Sequence, residues 1–204
     1  TAIYGSKGAN GVILITTKKG KAGKVNVDAK FEAAYNTRTM TPTFADGYSY
    51  ASMMNEALIT RNQEPEYSPE ELEILKLGLD PDLYPNVDWQ DLLLRNGAMT
   101  YRGSLNLSGG GNTARYFISG SYLNEQGMYK VDENIKKDYD TNANSQLYNY
   151  RMNVDVDITK TTLVKVGVSG SLRKMNEPGR AINVWEALMR QNPIEIPAMY
   201  SDGR

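Results

Sequence analysis

From Lys24 the chain alternates. Val25, Val27, Ala29, Phe31, Ala33 and Tyr35 fall at every second position, with Asn26, Asp28, Lys30 and Glu32 between them. A period of two sends the two sets to opposite faces of a strand, one apolar and one polar. The pattern returns four times. Over 99–108, Tyr101, Leu105 and Leu107 oppose Arg102, Ser104 and Asn106; over 114–123, Tyr116, Ile118 and Tyr122 oppose Arg115, Ser119 and Ser121. Over 148–158, Tyr148, Tyr150, Met152, Val154, Val156 and Ile158 alternate without exception against Asn149, Arg151, Asn153, Asp155 and Asp157. Over 164–173, Val164, Val166, Val168 and Leu172 oppose Lys165, Ser169, Ser171 and Arg173. Phe117 and Leu123 break the polar side of the third strand.

Between these runs lie polar inserts with helical signals. In residues 36–98, Tyr50, Met53, Met54, Ala57 and Leu58 recur at helical spacing. Ser68-Pro69-Glu70-Glu71 is a capping box with proline at the first helical position, and Gly78 is placed to end that helix. Asp88 predicts the cap of a third short helix through Leu92 to Leu94, closed by Asn96-Gly97. A fourth is predicted over 184–190, capped by Asn183 with Glu186 three residues on and stopped by Pro193. The second and third strands meet at Gly109-Gly110-Gly111-Asn112, a glycine-rich reversal. The fourth and fifth meet at residues 159–162.

Connections therefore alternate long, short, long, short, long. An antiparallel sheet built this way has its short turns at one end and its long inserts at the other, the arrangement of outer-membrane barrels. Tyr35, Tyr101, Tyr122, Tyr148 and Tyr150 sit on the apolar face at the strand ends nearest the long inserts, where an interfacial aromatic girdle would lie. A soluble antiparallel sheet packed on one face alternates in the same way. The pattern alone leaves both readings open. Five strands leave two open edges, and the expectation is a fragment of a longer sheet.

Composition removes most chemistry. The 204 residues contain no His and no Cys, so this chain offers no imidazole base, thiolate, Cys/His zinc site or disulfide. Its net charge of −1, with basic residues dispersed, argues against nucleic acid as a partner. The longest aliphatic run, Val-Ile-Leu-Ile at 12–15, predicts a short strand and is far short of the roughly 20 residues of a membrane helix. No basic n-region or apolar h-region opens these residues, so no signal peptide is visible among them. Fourteen Tyr stand against three Phe and two Trp, a bias toward side chains with one apolar and one wet end.

Candidate motifs fail on order or context. Gly5-Ser6-Lys7-Gly8 has phosphate-loop residues, but the strand follows the glycines instead of preceding them. Ser171-Leu172-Arg173-Lys174 matches a serine-acylase tetrad without its companion motifs. Asp138, Asp140, Asn142 and Asn144 resemble the start of a calcium loop, yet Ala143 and Asn149 stand where an EF-hand needs Gly and Glu. A looser calcium site there is the one metal the sequence offers. Asp155 and Asp157 share a face, but they continue a polar stripe. No cofactor and no enzyme activity are expected.

One stretch is more specific. Residues 2–20, AIYGSKGANGVILITTKKG, resemble the end of the plug domain of SusC/RagA-type TonB-dependent transporters. The Tyr35 strand, Asp88-Trp89, the 107–111 hairpin with Arg115-Tyr116, and YNYRMNVD at 148–155 follow in the family's order. Lys7 departs from it, since the family pattern usually carries Arg there; lysine keeps the charge but loses the planar fork.

The resemblance implies an all-β fold: part of a transmembrane antiparallel barrel of about 22 strands with an internal plug. Residues 1–20 would end the plug and 21–24 would link it to the barrel. Residues 25–204 would be the first five barrel strands, with long extracellular loops at 36–98, 124–146 and 174–204 that carry short helices. It implies TonB-dependent import of oligosaccharides or peptides across the bacterial outer membrane, with a SusD-like lipoprotein at the outer face. TonB-ExbB-ExbD would act through an upstream segment. Asp28, Glu32, Arg102, Asn106, Arg151, Asn153 and Asp155 would face the lumen and the valines and tyrosines would face lipid. Lys7 would pair with Glu32 or Asp155 to hold the plug. A passive porin and a soluble β-sandwich carbohydrate-binding module are the alternatives.

Overall fold

A computed structural model describes residues 3, 5, 6, 11–131, 141–177, 179 and 183–203. Its elements run β1 (Gly23–Thr37), α1 (Gly47–Ile59), α2 (Pro69–Leu77), α3 (Trp89–Leu93), β2 (Gly97–Gly110), β3 (Ala114–Gln126), β4 (Asn144–Thr159), β5 (Thr162–Asn176) and α4 (Val184–Arg190). The strands form one antiparallel sheet in chain order, β1-β2-β3-β4-β5. All five expected strands are present, each longer than its alternating run. Side-chain alternation marks where the two faces differ in polarity, whereas backbone pairing continues through Gly97, Ala98 and residues 144–147, where they do not.

Residues 12–15 form no strand, contrary to the expectation from their aliphatic run. Ile13 is 91% exposed and Ile15 82%. An extended segment becomes a strand only when a neighbour takes its N–H and C=O groups, and none of β1 to β5 pairs with it. β1 starts at Gly23, inside the stretch assigned to a linker.

Two compact units divide the chain. The sheet unit holds the described residues up to 33 with 101–124 and 146–174. Its tight reversal closes as the Gly111 N–H donates to the Ala114 carbonyl at 2.8 Å, and Gly110 takes φ +148°, open only to glycine.

The loop unit holds 34–100, the described part of 125–145, and residues from 175 on. Ala51, Leu75, Leu94, Ala98 and Leu188 are its buried apolar residues. In α1 the buried line is Gly47, Ala51 and Asn55, while Met53 is exposed. The helical spacing was right but its largest side chains do not all point inward; small residues occupy the close approach. Asn55 is buried because one amide serves three backbone groups. Its Oδ1 accepts from the Glu66 and Tyr67 N–H groups at 2.9 Å, and its Nδ2 donates to the Tyr67 carbonyl at 2.7 Å.

α2 follows its sequence signals closely. The Ser68 Oγ accepts from the Glu71 N–H, the Glu71 carboxylate accepts from the Ser68 N–H, and Gly78 closes the helix at φ 62°. α3 ends earlier than expected. Leu94 leaves the helix to bridge Tyr129, so a strand-like contact and not Asn96-Gly97 terminates it. α4 is capped by Asn183, but Glu186 pairs with Arg190 at 2.8 Å instead of returning to the cap.

Candidate functional site

The polar face of the sheet unit is cross-linked strand to strand. Asn106 on β2 donates to Asp28 on β1 at 3.0 Å and accepts from Ser119 on β3 at 2.7 Å. Asn149 on β4 donates to Ser121 at 3.3 Å. Arg115 on β3 pairs with Asp157 on β4 at 2.7 Å, both partly shielded from solvent. Arg102 lies 3.9 Å from Glu32, which Lys30 holds more closely at 2.8 Å. These residues share a face because each sits at the polar parity of its strand, as the alternation predicted.

A segment of the same chain is seated on this face. The Asn153 Nδ2 donates to the Lys18 carbonyl at 2.7 Å and reaches the Thr17 hydroxyl at 3.3 Å. Two residues on, Gly20 presses against the backbone of Tyr116 on β3; a Cβ at position 20 would overlap the Tyr116 nitrogen and carbonyl. Phe117, which interrupts the polar side of β3, is 8% exposed. It lines a groove of about 680 Å³ together with Ile15, Thr16, Thr17, Lys18, Asn106 and Arg151. The one aromatic ring on a polar face is thus buried where the segment passes. Sequence reasoning noted Phe117 only as an exception to the alternation, and that exception was the signal.

The opposite face is apolar and open. Val27, Phe31, Leu105, Ile118, Tyr150, Ile158, Val166, Val168 and Leu172 are all exposed, Phe31 at 72% and Val27 at 60%. A contiguous apolar surface of this extent is costly in water, which makes it a contact surface for lipid or protein. Its tyrosines work in cross-strand pairs. Tyr101 stacks on Phe31 with ring centres 6.4 Å apart, and Tyr122 lies 4.9 Å from Tyr148. Tyr150 lies over Gly170, where any side chain would collide with its ring. Tyr35, in the loop unit, covers Gly97 in the same way.

The expected contact residues divide. Lys7 lies outside the described residues. Glu32 is engaged by Lys30 and Arg102 on the sheet itself, and the Asp155 side chain makes no hydrogen bond or ion pair among the described residues. The segment's contact falls to Asn153, expected only to face the lumen. In the proposed calcium loop, Asp138 and Asp140 also lie outside the described residues. Asn142 is buried and uses its amide to fold the loop, accepting from the Tyr129 N–H at 3.2 Å and donating to the Gly127 carbonyl at 3.1 Å.

Comparison with known proteins decides the family. A TonB-dependent receptor of Formosa agariphila, P3, is 31% identical over 170 residues, 83% of this chain. SusC of Bacteroides thetaiotaomicron, also a TonB-dependent receptor, is 31% identical over 133 residues, 64% of this chain. The chain is homologous to SusC-type TonB-dependent receptors. It spans 14% and 12% of the lengths of these two relatives. Among solved structures, that of the RagAB peptide transporter superposes with a TM-score of 0.59 at 22% identity, covering 84% of this chain and 20% of that one. The RagAB peptide importer in its "closed-closed" state gives 0.58 at 23% identity, covering 85% and 20%. No family model matches the sequence. The fold is therefore that of a part of the larger RagAB barrel, and the SusC-type relatives are named as receptors.

Proposed function

We propose that this chain is the junction of plug and barrel in a TonB-dependent importer of the bacterial outer membrane. The observation that carries it is the seat of Thr17 to Gly20 on the polar face of a sheet whose other face is bare and apolar. The apolar face would meet lipid. The polar face would line the lumen, where charge is hydrated or paired. Residues up to Gly20 would be the tail of the plug, which blocks the lumen at rest.

Opening such a lumen takes work, and the outer membrane has no nucleotide supply of its own. TonB, energised by ExbB-ExbD, would pull from the periplasm on an upstream part of the plug. The long inserts would face outward by the parity of the connections, beneath a SusD-like lipoprotein that delivers oligosaccharides or peptides. The naming of relatives as SusC and of similar structures as RagAB supports this partnership, and the naming of RagAB as a peptide importer supports the peptide part of this range. A passive porin would need no such seated segment. A soluble carbohydrate-binding module would need its apolar face covered.

The seat makes the reading testable in the full-length protein. With Thr17→Cys and Asn153→Cys introduced together, oxidation should tie the segment to β4. These 204 residues contain no cysteine, and any cysteine elsewhere in the full-length protein is first replaced by serine. The tied protein should lose TonB-dependent uptake of its cargo from a mixed glycan and peptide panel, and reductant should restore it. Equal uptake by the tied and free forms, or uptake independent of TonB, would remove the proposal.

A further inference from the structure

The stretch that carries the seated segment into β1 is strongly basic. Residues 16–24, TTKKGKAGK, hold four lysines and no carboxylate. None of Lys18, Lys19, Lys21 and Lys24 forms an ion pair among the described residues. Two glycines set the course of the chain here. Gly20 lies against the Tyr116 backbone, which keeps the segment on β3, and Gly23 takes φ +141°, which turns the chain into β1. All four lysines consequently line one cavity of about 650 Å³ at the short-turn end of the polar face.

The rest of the wall adds a donor and little negative charge. The Ser108 side chain borders the cavity and makes no hydrogen bond among the described residues. Asp28 is the one carboxylate among the described residues that line it, and its Oδ1 already accepts from Asn106 at 3.0 Å. Elsewhere on this face cations are matched: Arg115 with Asp157, and Lys30 and Arg102 with Glu32. Here four ammonium groups stand against one carboxylate. Such a concave wall concentrates a positive potential, and its like charges repel one another until an anion enters.

The kind of cation points to the kind of anion. A planar carboxylate is held best by the fork of a guanidinium, and no arginine lines this cavity among the described residues. Lysine presents a compact ammonium with three donors, suited to the tetrahedral oxygens of phosphate. Four of them around one space suit more than one phosphate. We propose that this cavity binds paired phosphate groups, carried on a free polyphosphate or on a two-phosphate lipid headgroup. Lys18, Lys19 and Lys21 belong to the segment and its continuation, whereas Lys24 and Ser108 belong to β1 and β2. A bound anion therefore bridges the segment to the sheet and strengthens its seat. The junction reading is used only to put the cavity at the periplasmic end; binding itself needs neither TonB nor cargo, so the two can fail separately.

The test is calorimetry on the full-length protein in phosphatidylcholine nanodiscs, with inorganic pyrophosphate as the probe and citrate as a carboxylate comparator. Pyrophosphate should bind, less tightly as salt is raised, and citrate should bind more weakly. Lys19→Gln together with Lys21→Gln should weaken pyrophosphate by about ten- to a hundredfold, the loss expected for hydrogen bonds to charged groups. Both side chains are exposed, so the fold should be kept. Lys174→Gln removes the same charge outside the cavity and should leave binding unchanged. Amide exchange at Thr17 to Lys21 should slow when the probe is bound. Discs that contain cardiolipin identify the source. Slow exchange and weakened pyrophosphate binding in them point to lipid phosphate, and behaviour like that in phosphatidylcholine points to a free polyphosphate. The proposal is overturned if pyrophosphate does not bind in phosphatidylcholine discs or if citrate binds as tightly. It is equally overturned if the double variant binds like the parent protein, if Lys174→Gln weakens binding as much, or if bound probe leaves exchange at residues 17–21 unmoved.

Discussion

Asn153 on β4 donates its side-chain amide to the backbone carbonyl of Lys18, 2.7 Å away in space and 135 residues away in sequence. The bond joins a strand to the segment that precedes the whole sheet. It uses a backbone acceptor, so it holds the course of that segment whatever side chain sits at position 18.

Removing this donor should loosen the segment without harming the sheet. Asn153→Ala in the full-length protein is expected to cost about 1 kcal/mol locally, the net worth of one partly exposed hydrogen bond. Amide exchange at Thr17 to Gly20 should speed up while exchange in β3 and β4 stays as it was. Uniform acceleration across the sheet would mean that Asn153 supports the strands and not the segment.

Gly20 tests the same seat from the other side. Gly20→Val puts a Cβ into the Tyr116 backbone, so either the segment lifts or β3 bends. Overpacking of this kind costs about 1–3 kcal/mol. Gly103, also in the sheet unit, has nothing near its missing Cβ, so Gly103→Ala serves as the control. Heat-modifiable migration of the folded barrel on gels should shift to lower temperature for the first variant and hold for the second.

The two sheet faces should answer differently to charge. Val166→Arg on the apolar face is expected to cost up to about 2–4 kcal/mol if that face meets lipid near the bilayer midplane. Ser169→Arg, three residues on and on the polar face, should cost far less. Folding titrations into lipid vesicles would measure both. Equal costs would contradict the assignment of the faces.

The loop unit should be acid-sensitive at α2. The Glu71 carboxyl is held below its ordinary range chiefly by the Ser68 N–H, then by the Tyr84 hydroxyl. A carboxyl whose folded pKa is lowered adds stability above its unfolded pKa and loses it as pH falls through the folded value. The α1–α2 connector should therefore open to pepsin more readily as pH drops below the usual carboxylate range. In Glu71→Gln that pH step should flatten. Ser68→Ala should lower the stability of α2 by about 1 kcal/mol at neutral pH.

Local chemistry was legible wherever a residue's role depends on its neighbours in sequence. Ser68, Pro69, Glu71 and Gly78 delimit α2 because capping is a three- or four-residue interaction. The faces of β1 to β5 follow from a period of two for the same reason. Residues 12–15 show the limit: an aliphatic run carries strand propensity, but propensity supplies no partner. Met53 shows another, since helical spacing identifies a stripe without saying how much room lies under it. A cavity of the loop unit left no signal along the chain, because residues 38–46, 86–90 and 191–193 are brought together only by long-range hydrogen bonds.

By itself, the sequence determined the strands, their two faces, the long–short rhythm of their connections and the kinship with SusC-type receptors. All of these are written in short periods or contiguous motifs. Only the tertiary structure decided that Asn153 holds the segment at Lys18, that Gly20 is small because Tyr116 lies against it, and that Phe117 turns a break in pattern into a buried contact. Those are pairings across more than 90 residues of chain. Which two distant groups meet is set by the register of the whole sheet, a property no local window contains.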